Sequence, residues 1–389
     1  MKEMNDSNKT SQLDLAGLDD TYREVLNLLC YDLLATLDAF EITERQFDPG
    51  IVSYLQEKLS PFADRLEGSG KQFHSIFPPS DFKLFHDQLK DATINATDAL
   101  RIFVTPAGLE ASLINFRKAK RKICRTREKL FSLRRSLSTV NRFLIEAAVH
   151  ERIDEFDPDG LPRTDVGLFH VGMEEEPYAR GSFSLYVPES YDGYQAWPLV
   201  IALHGGFSHG RDFIWTWFRE ARSRRFILLA PSSHEATWSI TGIDVDSATL
   251  NKMLEYVAER WKIDKNRILL TGISDGATYA LSRALDKQPP FTAFAPVSGV
   301  LPPFDLRNAK DRRIYWVHGA FDWMFPVERA RQDYTILKTA GADITLRVID
   351  DLSHTYPREQ NDRILTWFDS SLALPTPKAA KPQIRNSNI

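Results

Sequence analysis

Ser274, Asp322 and His354 are of the types, and fall at the kind of spacing, that acyl transfer needs. Ser274 lies in Gly272-Ile273-Ser274-Asp275-Gly276, after the apolar run Ile268 to Thr271 and before a segment with Ala277, Ala280, Leu281 and Leu285 on one helical side. That is a strand, a sharp turn and a helix around G-x-S-x-G, the context in which such a serine is strained and exposed. A bare pentapeptide match arises by chance and then marks only a surface turn; its flanks give this one weight. Asp322 and His354 each follow a further apolar strand-like run. A neutral imidazole beside a serine hydroxyl can take its proton and pass it to a leaving group, while a carboxylate on the far ring nitrogen fixes the tautomer and stabilises the imidazolium. Any one of the nine histidines could be a packing residue, but three suitable types at three strand ends are an improbable coincidence. Asp350 and Asp351 are poorer candidates than Asp322 because they leave the same strand as His354. Another strand end carries His204-Gly205-Gly206-Phe207, a turn whose backbone N–H groups could reach a developing oxyanion, with the N–H of Asp275 as a second donor.

The elements that must position these residues alternate. Strands are expected at Phe183 to Val187, Leu199 to Leu203, Phe226 to Ala230, Arg267 to Thr271, Ala293 to Val297, Ile314 to Val317 and Ile344 to Val348, with helices at about 211–223, 247–261, 276–286, 327–340 and 357–371 between them. Strands separated by helices of this length imply right-handed βαβ units, a mostly parallel sheet and helices on both faces. In such sheets chemistry collects at the carboxyl ends of the strands, where the candidates lie.

The first 150 residues read differently, as an all-α bundle. Tyr22, Leu26, Leu29, Leu33, Leu37 and Phe40 recur at helical spacing; a piece from Ile51 to Leu59 is expected to stop at Pro61, and a third helix runs from about Asp81 to Phe103. A long helix is expected from Phe116 to Ala147, because Phe116, Ile123, Leu130, Leu137 and Leu144 form a seam with Ala119, Thr126, Leu133, Val140 and Ala147. Its seam should pack within the chain on the stripe of residues 22–40. Residues 117–135 of this helix are rich in Arg and Lys, and are read as an outward basic face, either a solvated surface or a place for an anionic partner. Residues 151–165 are expected to be a linker, 166–373 the catalytic domain, and 374–389 a disordered tail. The polar start, the absence of a long apolar run, the net charge of -4 and only two cysteines, Cys30 and Cys124, fit a cytoplasmic protein with no membrane span, no disulfide framework and no nucleic-acid partner. Both cysteines are read as packing residues.

The segments WPLVIALHGGFSHGRDF, RFILLAPSS, RILLTGISDGATYAL, VHGAFDWMFPV and LSHTYP resemble the α/β-hydrolase superfamily, and within it the phospholipase/carboxylesterase group, over about residues 165 to 371. The resemblance implies an α/β-hydrolase fold after the helical region, with Ser274 as nucleophile, Asp322 as acid, His354 as base, Gly206 and Asp275 as oxyanion donors, and neither metal nor cofactor. The helical region matches nothing in that group. Phe207, Trp238, Trp323, Phe325 and Tyr356 are the candidate substrate-pocket residues, although core packing accounts for each about as well. The expected activity is hydrolysis of a small-molecule carboxylic ester through an acyl-enzyme. An acyl thioesterase would use the same residues, and an interaction protein working through the basic helix is the reading from another class.

Overall fold

The computed structural model describes residues 3–4, 13, 15–158, 163–303 and 305–375. Nine strands form one sheet: β1 (Glu3–Met4), β2 (Gly167–Val171), β3 (Phe183–Val187), β4 (Trp197–Leu203), β5 (Ile227–Pro231), β6 (Ile263–Ile273), β7 (Ala293–Val297), β8 (Arg313–Gly319) and β9 (Asp343–Ile349). Their order is β1-β2-β3-β5-β4-β6-β7-β8-β9, parallel from β5 to β9 and antiparallel at the β1-β2-β3-β5 edge. Each strand expected from the sequence is present. β1 and β2 were not expected; β2 is short and contains His170, whose Nδ1 lies 2.8 Å from Ser184 Oγ of β3. Side chains alternate across the sheet as its pleat requires. In β4, Leu199, Ile201 and Leu203 enter one core, while Val200 and Ala202 enter the other.

The helical region comprises α1 (Asp20–Gln46), α2 (Val52–Ser75), α3 (Lys83–Val104), α4 (Leu109–Leu133) and α5 (Ser138–Phe143). The α1 stripe of Tyr22, Leu26, Leu29, Leu33, Leu37 and Phe40 is buried, as its spacing predicts. Pro61 does not end the second helix. It lies inside α2, whose buried stripe of Leu55, Leu59, Ala63, Leu66 and Phe73 outweighs the one backbone bond that proline removes. The long helix expected to Ala147 instead breaks after Leu133, and Leu137 is extended at φ −118° and ψ 95°. The seam residues stay buried through Leu144 because the chain turns at the break and continues to pack. Arg134, at the break, is buried and needs anions: its guanidinium reaches Glu189 at 2.9 Å and Asp157 at 3.4 Å, and an unbroken helix would carry it away from them.

The seam does pack within the chain, but on α3 rather than chiefly on α1. The short connection at 105–108 makes α3 and α4 an antiparallel hairpin, tied by Thr126 Oγ1 to Ala92 O at 3.2 Å and by Lys122–Asp98 at 2.9 Å. Leu130→Asp would place a charge at a fully buried position. The variant is expected to lose roughly 4 kcal/mol or more and to melt well below wild type without a change of oligomeric state, as read by calorimetry and light scattering.

The basic face is not uniformly outward. Arg125 pairs with Glu128 at 2.6 Å and Asp212 at 3.1 Å, Arg127 with Glu41 at 3.2 Å, and Lys120 with Glu44 at 3.5 Å, leaving Arg117 and Lys118 exposed. Two neighbours supply the acids: α1 gives Glu41 and Glu44, and the sheet half gives Asp212 from α6 (Gly210–Phe213), which with α7 (Phe218–Arg224) packs against α4. Phe131 of α4 meets Tyr186 and Phe218 edge-on at 5.9 and 5.0 Å. The bundle and one face of the sheet therefore share a continuous core, completed by α11 (Asn361–Phe368). The other face carries α8 (Asp246–Arg260), α9 (Asp275–Ala284) and α10 (Val327–Thr339). The stretch read as a linker from residue 151 is folded as far as Asp157: a 3-10 helix spans Ala147–Glu155, and Phe156 and Asp157 are buried. Residues 159–162 lie outside the described residues, as does the tail from 376. Both cysteines are buried and free, and burial pushes each thiol up to about 12.

One carboxylate at this junction sets a pH limit. Burial opposes ionisation of Glu41, but Arg358, Arg127 and Arg219 outweigh it and hold the carboxyl down at about 2. A folded-state value below the unfolded one contributes stability above the unfolded value of 4.5 and loses it as pH falls toward 2. Denaturant midpoints measured from about pH 6 to about pH 3 are expected to fall, and Glu41→Gln to flatten that fall. An unchanged slope in Glu41→Gln would remove Glu41 from the account.

Candidate active site

Ser274 terminates β6 and precedes α9 with φ 56° and ψ −119°, a conformation that non-glycine residues adopt only when the surroundings impose it. The turn is tight against β4: a Cβ on Gly276 would lie 2.5 Å from His204 O and 2.6 Å from Leu203 O. Only glycine lets α9 begin there. The Ser274 N–H donates to Val297 O at 3.0 Å, and Ser274 O accepts from Thr278, so both peptide groups of the strained residue are anchored.

The imidazole of His354 lies between the other two candidates. Its Nε2 is 2.9 Å from Ser274 Oγ, and its Nδ1 is 2.9 Å from each oxygen of Asp322. With the proton on Nδ1, the ring donates to Asp322 and accepts the serine hydroxyl. Asp322 follows β8 and is buried; its Oδ1 also accepts the N–H groups of Met324 and Phe325 at 3.0 and 2.8 Å. Burial alone would raise its pKa, but hydrogen bonding to and charge on His354, with the Phe325 N–H, hold the carboxyl below its usual range. A second buried histidine, His318, donates its Nε2–H to Phe325 O at 2.8 Å in this loop, and burial pushes its pKa down.

Gly206 approaches the first turn of α9 so closely that a Cβ there would lie 2.5 Å from Asp275 Oδ2. Among the described turns, loops and caps, the N–H groups of Gly206 and Asp275 donate to no protein acceptor, as oxyanion donors must not. Phe207 is held at φ 60° by its N–H to Ala236 O, 2.7 Å, which fixes the turn. Thr237 donates to Asp275 Oδ2 and holds that carboxylate aside, a residue that sequence reasoning missed because it lies in an irregular loop without a motif.

Residues 226–371 match the phospholipase/carboxylesterase family. This is a family of carboxylic ester hydrolases, and the sheet half of the chain has the α/β-hydrolase fold. The matched span contains Ser274, Asp322 and His354 and begins after the Gly206 turn; the helical region lies outside it. Among solved structures the chain is similar to a thermostable esterase (21% identity, TM-score 0.39, 49% of this chain and 56% of that one). It is also similar to esterase PE8 (20%, 0.38, 46% and 95%) and to an acetyl xylan esterase from Aspergillus awamori (15%, 0.42, 52% and 98%). The chain thus spans little more than half of the first of these, 56%. No curated protein sequence matches it.

The hydrolase half divides the five pocket candidates. Phe207 and Trp323 are exposed, and Trp323 and Phe325 stand edge-on to the His354 ring at 6.1 and 5.3 Å. Trp238 and Tyr356 are corrected. Trp238 is buried, stacks on Tyr279 at 5.3 Å and donates its indole N–H to His204 O at 2.8 Å, so it props the turn from beneath. Tyr356 packs edge-on against Phe213 at 5.7 Å and donates to Asn361 Oδ1 at 2.9 Å. It lines a cavity of about 480 Å³ behind the histidine loop, with Glu41, Arg45, Trp215 and Glu220. Their aromatic character was legible in sequence, but the side they face was not. Among the described residues, no group of three His, Cys, Asp or Glu is placed to hold a metal, and no helix is long and apolar enough to cross a membrane.

Proposed function

We propose that the protein hydrolyses small-molecule carboxylic esters by two-step acyl transfer at Ser274. The observation that carries this reading is the single imidazole of His354 within 2.9 Å of both Ser274 Oγ and the Asp322 carboxylate. Ser274 Oγ attacks the carbonyl carbon and its proton passes to His354 Nε2; the carbonyl electrons move to the oxygen, which the N–H groups of Gly206 and Asp275 receive. Collapse breaks the bond to the leaving oxygen, which takes the proton from His354 and departs as the alcohol. Water then repeats the sequence on the acyl-enzyme, releasing the acid and restoring the serine. Asp322 stays ionised throughout, stabilising the imidazolium.

The exposed Phe207, Phe321, Trp323 and Met324 around the reacting groups favour an apolar acyl or aryl portion. A fluorophosphonate probe tests the nucleophile: it is expected to label the folded protein at Ser274 and to leave Ser274→Ala unlabelled. Folded wild type that resists labelling would sink the reading and favour an interaction role. Turnover of p-nitrophenyl esters of increasing chain length, against acyl-CoA thioesters, separates esterase from thioesterase.

A further inference from the structure

The loop bearing His354 donates hydrogen bonds to the helical half on both sides of the histidine. Before it, Ser353 Oγ donates to Asp48 Oδ2 at 2.6 Å; after it, Thr355 Oγ1 donates to the carbonyl of Arg45 at 2.9 Å. Ser353 and Thr355 are each only 6% exposed, so water competes little for either bond. Farther out, the Arg45 guanidinium reaches Asp351 at 2.9 Å and Glu359 at 2.6 Å, and Arg358 reaches Glu44 at 3.3 Å. Asp48 is itself fixed, since its other oxygen accepts the Gly50 N–H at 2.7 Å and caps the short 3-10 helix Pro49–Ile51. Behind this, Phe47 stacks on Phe116 of α4 at 3.8 Å, which ties the end of α1 into the bundle. From the sheet side, the same loop is held by Phe321 N–H to Leu352 O at 2.9 Å.

An imidazole that must lie within hydrogen-bond reach of two partners at once tolerates little displacement, and a misplacement of about 1 Å can reduce turnover on the order of 10²-fold. We propose that the helical half is a positioning element for the acyl-transfer site: Asp48 through Ser353, and the Arg45 carbonyl through Thr355, hold His354 in line between Ser274 and Asp322. This rests on the esterase reading above. It gives the helical region a role inside the reaction centre without requiring it to touch substrate, and it makes Asp48 and Ser353 positioning residues rather than catalytic ones.

The test is a double-mutant cycle on the full chain with p-nitrophenyl acetate. Asp48→Ala and Ser353→Ala are each expected to lower kcat about 10-fold to 100-fold with KM nearly unchanged, and the double variant to be no worse than either single one, because both remove the same bond. Ser353→Thr, which keeps the hydroxyl, should restore most of kcat. Arg101→Ala removes ion pairs to Asp64 and Glu67 within the bundle, neither of which belongs to the histidine loop, and should leave kcat unchanged even where it lowers the melting temperature. Full kcat in folded Asp48→Ala and Ser353→Ala, additive losses in the double variant, or an equal loss of kcat in Arg101→Ala would each overturn the positioning role. If Asp48→Ala does not fold, Ser353→Ala against Ser353→Thr decides alone. Wild type that lacks both turnover and fluorophosphonate labelling would instead refute the esterase reading on which the proposal stands.

Discussion

Ser274→Ala is expected to abolish ester turnover, lowering kcat by about 10⁶-fold, with the melting temperature essentially that of wild type. The hydroxyl is the atom that forms the covalent intermediate, and His354 cannot replace it. The strained backbone at φ 56° stays as it is, because it is imposed by Gly276 against β4 and by the anchored peptide groups rather than by the serine side chain. Some catalysis over water, on the order of 10³-fold, can persist from the Gly206 and Asp275 donors. Steady-state assays on the purified variant, with calorimetry beside them, decide it. Turnover at the wild-type level would place the nucleophile elsewhere.

Asp322→Asn is expected to lower kcat by about 10⁴-fold. The amide can still accept the Met324 and Phe325 N–H groups through its oxygen, so the loop should keep its shape. Its NH₂ group then faces His354 Nδ1, which favours the opposite tautomer and puts a proton on Nε2, where the Ser274 hydroxyl needs an acceptor. The contrasting variants are Asp350→Asn and Asp351→Asn. Both carboxylates belong to the outer part of the histidine loop, and Asp351 is 80% exposed and turned toward Arg45. Each is expected to change kcat by no more than a few-fold, since exposed pairs contribute little. A crippled Asp351→Asn beside a mild Asp322→Asn would reverse the assignment of the acid.

The placement of Ser274, Asp322 and His354 was legible because each follows a short apolar strand, and a parallel sheet brings the carboxyl ends of its strands to one edge whatever the separation in sequence. The Gly206 turn was legible for the same reason. The antiparallel edge was not. β2 is only five residues long, GLFHV, and all five are buried, so it offers neither a long apolar run nor an alternation to read.

In the helical region periodicity reported burial faithfully and continuity poorly. Leu137, Val140 and Leu144 keep the seam's spacing across a break in the helix, because a residue stays buried if the chain turns and packs again on the next surface. Pro61 errs in the other direction: a local penalty on one backbone bond is small beside the burial of the α2 stripe. The basic residues of α4 were read as outward because sequence shows charge without showing what lies opposite. Asp212 and Glu41, which neutralise Arg125 and Arg127, are distant in the chain.

By itself, then, the sequence determined which residue types stand at which strand ends, and so the chemistry open to the chain, because strand, turn and helix preferences act over a few neighbouring residues. Only the tertiary structure decided that Trp238 faces the core and Tyr356 a cavity behind the histidine loop, that α4 packs on α3, and that Asp48 and Arg45 grip the loop around His354. Those contacts join residues as far apart as Asp48 and Ser353, and no local preference encodes them. They follow from how two independently patterned halves bury their apolar faces in one core and then satisfy the polar groups trapped between them.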